Sequence, residues 1–384
     1  MFNRLPIAVL QLIHEKPRFF AAIAGIAFAN ILMFLQFGFQ DALFESATII
    51  QRKLRADLVL ISTNSEVLFS MNSFSRRRLY QVLSHEEVSQ VTPMYVGLGT
   101  WKNPWNGRTR SLLVMGFDPK ESVLDLPGIT ENLPQLYQSD TVLFDRRSRE
   151  EFGQVADEYG RGNDIFTEVN RNKIKVGGLF TLGASFAADG NLVTSELNFL
   201  RMFEDRHPEA INIGVINLKP GVDAIAFTRK LEKELPKDVR ALTHDEFAAL
   251  ERNYWETSTA IGFIFNLGVS MGFLIGLVIS YQILHTDVVN HLQEYATLKA
   301  MGYKDIYFLG VVFQESLLLS AIGYLPGIGV SFFLFRLIED ATFLPMQITP
   351  YRAVLVLVLT VTMCFVSGAI AMRKLRKADP AEIF

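Results

Sequence analysis

Residues 259–284 read TAIGFIFNLGVSMGFLIGLVISYQIL, without a single Asp, Glu, Lys or Arg. At about 1.5 Å of rise per helical residue, a stretch of this length crosses a hydrocarbon core of about 30 Å. In lipid every backbone N–H and C=O must be paired within its own segment, so the stretch is expected as a transmembrane helix. Phe19 to Phe39, Ile306 to Ile338 and Tyr351 to Met372 meet the same requirement, and a polar block separates the first apolar stretch from the second. The fold class that follows is a membrane α-helical bundle of four transmembrane helices per chain, with a mixed α/β extracytoplasmic domain inserted between the first and second.

The expected division is an amphipathic cytoplasmic helix at 1–18, transmembrane helices at 19–39, 258–284, 306–338 and 351–372, and an outer domain at 40–257. A cytoplasmic helix at 285–305, a short outer loop at 339–350 and a cytoplasmic tail at 373–384 complete it. The first apolar stretch begins well inside the chain, is longer than a signal-peptide core and lacks a convincing cleavage site, so it is expected to be retained. Ahead of it, Phe2, Leu5, Val9 and Leu12 share one helical face, as in a helix lying in the membrane interface.

Lysines and arginines set the orientation. Arg4, Lys16 and Arg18 precede the first span, and Arg373, Lys374, Arg376 and Lys377 follow the fourth, so both termini are expected in the cytoplasm. The large domain then lies outside; Arg52, Lys53 and Arg55 run against the rule, but long domains translocate largely regardless of charge. Tyr254 and Trp255 before the second span, and Tyr351 before the fourth, suit the outer headgroup belt.

Composition narrows the function further. A net charge of −3, from 37 Lys plus Arg against 40 Asp plus Glu spread through the chain, provides no basic stripe for nucleic acid. The sole cysteine, Cys364, lies in the last apolar stretch, so the outer domain is held by packing rather than disulfides. Segments such as Leu58 to Ile61, Thr141 to Phe144, Ile174 to Leu182 and Ile211 to Leu218 have β-rich composition, and Val222 to Leu235 and His244 to Glu256 carry helical spacing. Residues 154–172 are polar and Gly-containing and read as a loop, while Arg76, Arg77 and Arg78 read as a solvated helix face.

Residues with catalytic potential are few. There is no Gly-Lys pair to build a phosphate-cradling P-loop, and His85-Glu86 lacks the second histidine of a zinc helix. Gly268-Val269-Ser270-Met271-Gly272 matches the spacing of a hydrolase nucleophile elbow, but that motif needs a strand, a turn and a helix rather than an apolar span. Gly268, Gly272 and Gly276 instead form a small-residue face for close helix packing, repeated at Gly323 and Gly327, with Pro326 and Gly329 expected to kink or break the third span. Glu315 is the one acid deep within an apolar span; a proton or substrate relay is one role for it, a structural carboxyl bonded to a neighbouring helix the favoured one. Asp287 to Met301 reads as a helix between two spans closed by Gly302, and Asp379-Pro380-Ala381-Glu382 fits a capped helix start.

Glu294-Tyr295-Ala296-Thr297-Leu298-Lys299-Ala300-Met301-Gly302 resembles the E-x-x-x-L-[RK]-A-x-G segment of the FtsX/MacB class of ABC-transporter permeases. Glu315, Gly323 and Gly327 fall where that class has an acid and glycines, and Arg373 to Ala381 resembles its closing basic-Asp-Pro-Ala motif. Val176 to Phe180 and Asp189-Gly190 look like its outer-domain hairpin region. More narrowly, Gln36 to Phe44, Phe180 to Gly190 and Ala378 to Phe384 resemble the DevC group of cyanobacterial exporters.

The resemblance implies a non-catalytic, homodimeric permease of the bacterial inner membrane, with a MacB-like periplasmic domain. A separate DevA- or MacB-like ATPase subunit, which binds ATP and Mg, would dock on Glu294, Tyr295, Leu298, Lys299 and Gly302. No cofactor is expected in this chain itself. DevC-like members work with a membrane fusion protein and a TolC-like outer-membrane channel on lipid-like cargo, glycolipid among it. The alternative is an FtsX-like, non-transporting regulator of a periplasmic cell-wall hydrolase.

Overall fold

The computed structural model describes residues 16–183, 188–342 and 344–377. The amphipathic segment expected before residue 16 and the capping motif Asp379 to Glu382 lie outside these residues. The chain divides into two compact units, one formed by Met1–Ala42 with Ala260–Phe384 and the other by Leu43–Thr259.

The first unit is helical. Its long helices are Lys16–Ala47, Ala260–Asn290, Asp305–Thr342 and Pro350–Lys377, with the short helix Leu292–Ala300 between the second and third. All four long helices have the length and apolar composition to cross a membrane. Exposed positions such as Phe263, Leu267, Leu274 and Val278 on the second helix are apolar, an arrangement that suits a lipid-facing or partner-facing surface rather than water. The third helix runs through Pro326 without a break, contrary to one of the two outcomes expected there. Inside the unit, Ala22, Ile26 and Ala29 of the first helix pack with Leu284, Leu319, Met363 and Cys364. A second cluster joins Met33, Phe34 and Phe37 to Phe335 and Val356. Two buried hydroxyls are bonded across helices: Thr360 donates to Asn30, and Ser367 Oγ donates to the Leu277 carbonyl at 2.7 Å.

The second unit is built on a mixed sheet. Its strands are β1 (Leu58–Ser62), β2 (Phe74–Ser75), β3 (Val88–Lys102), β4 (Thr109–Phe117), β5 (Thr141–Asp145), β6 (Phe166–Val169), β7 (Asn172–Phe180), β8 (Asn191–Ser195), β9 (Ala210–Ile211), β10 (Ile213–Leu218) and β11 (Val239–Thr243). Nine of them order as β11-β1-β10-β3-β4-β8-β5-β7-β6, while β2 and β9 form a small separate pair. Pairing is antiparallel except for β4 with β8 and β5 with β7.

Alternation along the strands explains why β1, β5 and β8 are buried throughout. Leu58 and Leu60, Val142 and Phe144, and Leu192 point to one core, whereas Val59 and Ile61, Leu143, and Val193 point to the other. On the first face Leu79 and Val82, Phe199 and Met202, and Phe227 and Leu231 are contributed by the helices Arg76–Leu83, Glu196–Met202 and Ala224–Glu234. On the second, Ile50 and Phe247 come from Ile49–Arg52 and His244–Asn253, the segments by which the chain enters and leaves the unit. Residues 154–172, expected as a loop, contain the helix Val155–Gly160 and strand β6. Val155, Ile165 and Val169 bury themselves in the first core, so tertiary packing overrides the polar composition. Arg76, expected on a solvated face, instead makes a partly buried ion pair with Glu196 at 2.5 Å.

Candidate functional site

The short helix Leu292–Ala300 is the element onto which the sequence placed its coupling residues. It begins later than expected, because Asp287 belongs to the end of the preceding long helix, which extends to Asn290. Its C-terminus closes in a Schellman arrangement. Gly302, at φ 96°, donates its N–H to the Lys299 carbonyl at 3.0 Å, and Tyr303 N–H reaches the Leu298 carbonyl at 3.2 Å. Glycine is required there because an L side chain rarely adopts that left-handed backbone.

The helix has an inner and an outer side. Tyr295 is buried and joins Val288, Phe308, Val312 and Met372, with Leu292, Leu298 and Leu309 packed around them. Its ring centroid lies 5.4 Å from that of Phe308 on the third long helix. Glu294 faces outward, Leu298 and Lys299 are half-buried, and Gly302 is exposed. Met301, Tyr303 and Ile306 add exposed apolar surface just beyond the helix. The five residues picked out in the sequence therefore play separate parts. Tyr295 and Leu298 fasten the helix, Gly302 ends it, and Glu294 and Lys299 border what a partner could touch.

Glu315 is fully buried, and the acid nearest its carboxyl is Asp287 of the second long helix. One turn on, the His291 ring nitrogen Nδ1 lies 3.0 Å from the Asp287 carbonyl oxygen. The two acids thus face each other beside the base of the short helix, one on the second long helix and one on the third. Asp287 was not singled out in the sequence as Glu315's partner; the two are separated by the whole short helix and its turns.

The glycines lie against the first and fourth long helices. A Cβ on Gly268 would meet the Gln36 amide, one on Gly272 would lie 3.1 Å from Met33 Cγ, and one on Gly276 would come within 2.9 Å of Ala29 Cβ. Gly323 faces Ile26, and Gly327 faces Asn30. Ser270 lies within the same continuous helix and donates to the Asn266 carbonyl at 2.8 Å, the local bond of a helical serine rather than the geometry of a nucleophile elbow.

Residues 266–380 match the family model for the FtsX-like permease C-terminal. The match takes in the short helix, Asp287, Glu315 and all the packing glycines of the second and third long helices, and it covers under half of the chain. No curated protein matches the chain. Among solved structures, the periplasmic region of MacB from Actinobacillus actinomycetemcomitans is similar over 53% of this chain and 95% of that one, at 14% identity and a TM-score of 0.37. The extracellular domain of the noncanonic ABC-type transporter YknZ from Gram-positive bacteria is similar over 49% and 99%, at 12% identity and a TM-score of 0.33. A domain of a putative permease protein from Porphyromonas gingivalis gives 50% and 89%, 15% identity and a TM-score of 0.31. Likeness at these scores establishes neither a shared fold nor a shared function. The narrower resemblance to the DevC group has no counterpart among these matches.

Proposed function

We propose that this chain is the membrane subunit of an ABC-type exporter, driven from the cytoplasm by a separate ATPase subunit that docks on Leu292–Ala300. The observation that carries the reading is the short helix itself: fastened from within by Tyr295, closed by Gly302, and bordered by exposed Glu294, Met301 and Tyr303. A rigidly seated helix passes a push on to the long helices it is packed against, where a loose loop would absorb it. The FtsX-like match over 266–380 supports the same assignment.

In this reading the chain is homodimeric, sits in a bacterial inner membrane with both termini cytoplasmic, and carries its Leu43–Thr259 unit in the periplasm. ATP and Mg belong to the partner, and the work is done by the outer unit as the dimer closes. The cargo class is lipid-like, delivered with a membrane fusion protein to a TolC-like channel. The FtsX-like match equally accommodates a regulator that acts on a periplasmic cell-wall hydrolase.

The test is affinity capture of the full chain with its co-expressed ATPase subunit. E294K and M301D should each lose the subunit while the permease stays folded, and undiminished capture by both would remove this interface. A co-purifying fusion protein and bound lipid point to export; a co-purifying hydrolase points to regulation.

A further inference from the structure

Gln51 and Glu251 lie 200 positions apart in the chain, yet Gln51 Nε2 donates to Glu251 Oε2 at 2.9 Å. Gln51 sits on Ile49–Arg52, where the chain enters the sheet-bearing unit, and Glu251 on His244–Asn253, where it leaves. Glu251 also accepts from the Leu68 backbone N–H at 2.8 Å and from Trp255 Nε1 at 2.9 Å. The carboxyl is 2% exposed and Gln51 is fully buried. Phe69 covers the indole at 5.9 Å between centroids, and Trp255 lies in the π-helical turn Tyr254–Ser258 that follows the exit helix.

The donors to this carboxylate are neutral, and burial is the largest influence on its proton, pushing its pKa up to about 7. The nearby charges have partners of their own or lie in solvent. Arg252 stacks on Phe44 and lies 4.0 Å from Glu256, and Arg52 is 4.0 Å from Glu45. Asp57 of the segment before β1 accepts from Leu218 N–H, and Arg240 of β11 donates to the Ser65 carbonyl. Lys53 and Glu66 are exposed, and His244 and Asp245 lie together at the start of the exit helix.

A second, purely geometric feature points the same way. Gln51 Oε1 is buried without a hydrogen-bond partner, immediately beside the carboxyl. An ionised Glu251 needs the amide N–H of Gln51; a protonated one needs an acceptor, which reversal of the same amide would present. We propose that Glu251 and Gln51 form a two-state, proton-responsive joint between the segments by which the chain enters and leaves this unit. Each protonation state of the carboxyl selects one orientation of the Gln51 amide. Trp255, bonded to the same carboxyl, changes its environment with the proton, so the π-helical turn before the second long helix senses the state of the joint. The inference stands on the geometry of this unit alone, whether or not an ATPase subunit docks on the short helix.

The test is 19F NMR of the full chain in detergent, labelled with 5-fluorotryptophan. The chain has three tryptophans, Trp101, Trp105 and Trp255, so W255F identifies the relevant signal. That signal should titrate as a single proton with a midpoint near 7, and E251Q should abolish the titration while the Trp101 and Trp105 signals report an intact fold. His244 on the same helix makes the E251Q comparison decisive for assigning the proton. A Trp255 signal that does not move across roughly pH 5.5 to 8.5 overturns the proposal. So does a titration that persists in E251Q; and if E251Q fails to fold, H244N takes its place, and a titration lost in H244N overturns the proposal.

Discussion

Arg352 clasps Asp41 with two parallel hydrogen bonds, Nε to Oδ2 at 2.7 Å and Nη2 to Oδ1 at 2.6 Å, joining the start of the fourth long helix to the far end of the first. The guanidinium also lies 4.5 Å from the Phe37 ring centroid. This fork-to-fork geometry with stacking is available to arginine and not to lysine. The side chains are 16% and 25% exposed, so the pair is shielded from solvent more than a surface ion pair. R352K should therefore lower the stability of the detergent-solubilised chain by about 1–2 kcal/mol, and D41A by about 2–3 kcal/mol. A double-mutant cycle on thermal unfolding that shows no coupling between positions 41 and 352 would contradict this account.

Stability should fall as pH rises towards neutral, because of Glu251. Its folded pKa of about 7 exceeds the ordinary 4.5, so between those values the folded state holds the proton more tightly than the unfolded chain. The contribution is fully present below 4.5 and is lost as pH rises through 7, on the order of 3 kcal/mol at most. In E251Q this part of the slope should vanish. Urea titrations at several pH values measure it; parallel pH profiles for the two proteins would refute it.

Tyr295 and Glu294 are neighbours with separable roles. Y295A empties the space against Phe308 and Met372 and should cost about 3–5 kcal/mol, with loss of ATPase-subunit capture following from a loosened helix. E294K, on the outer side, should lose capture with less than about 0.5 kcal/mol of destabilisation. Equal destabilisation by the two substitutions would show that the inward and outward sides have been misassigned.

Glycines of the third long helix should differ sharply in tolerance. A Cβ at Gly323 would lie 2.8 Å from Ile26 Cβ, an atom fixed close to the backbone, so G323A should cost about 1–3 kcal/mol. At Gly329 nothing lies within 4 Å, and G329A should be neutral or stabilise by up to about 1 kcal/mol through helix propensity. Thermal unfolding of both variants in one detergent measures the contrast, and a costly G329A would count against the packing described.

At Gly302 the constraint is the backbone rather than space, since nothing lies within 4 Å of an added Cβ but φ is 96°. G302A should cost about 1–2 kcal/mol and fray Leu298 to Tyr303, while Asn at this position should be milder. Hydrogen exchange of the Gly302 and Tyr303 regions provides the measurement, and unchanged protection in G302A would exclude the strain.

The long apolar helices were legible because their signal is local: length, absence of charge and spacing of small residues all lie within one segment. Gly302 was equally legible, since a helix stop depends on its immediate neighbours. Thr243-His244-Asp245-Glu246 carries a capping-box signature that starts the exit helix, a local signal as readable as the others though the helical spacing alone had marked that segment. Trp255 was expected in the headgroup belt, but its indole N–H is satisfied by Glu251 inside the sheet-bearing unit.

Residue types and their periodicity were sufficient to establish a chain of four apolar helices and one mixed α/β unit, since burying apolar surface and pairing backbone groups are demands that each segment meets alone. The partners of Glu251, Glu315 and Asp41 were set by folding in three dimensions. Gln51 reaches Glu251 across 200 positions and Arg352 reaches Asp41 across 311. No periodicity spans such distances, because a buried carboxyl takes whichever donor the packed backbone carries to it.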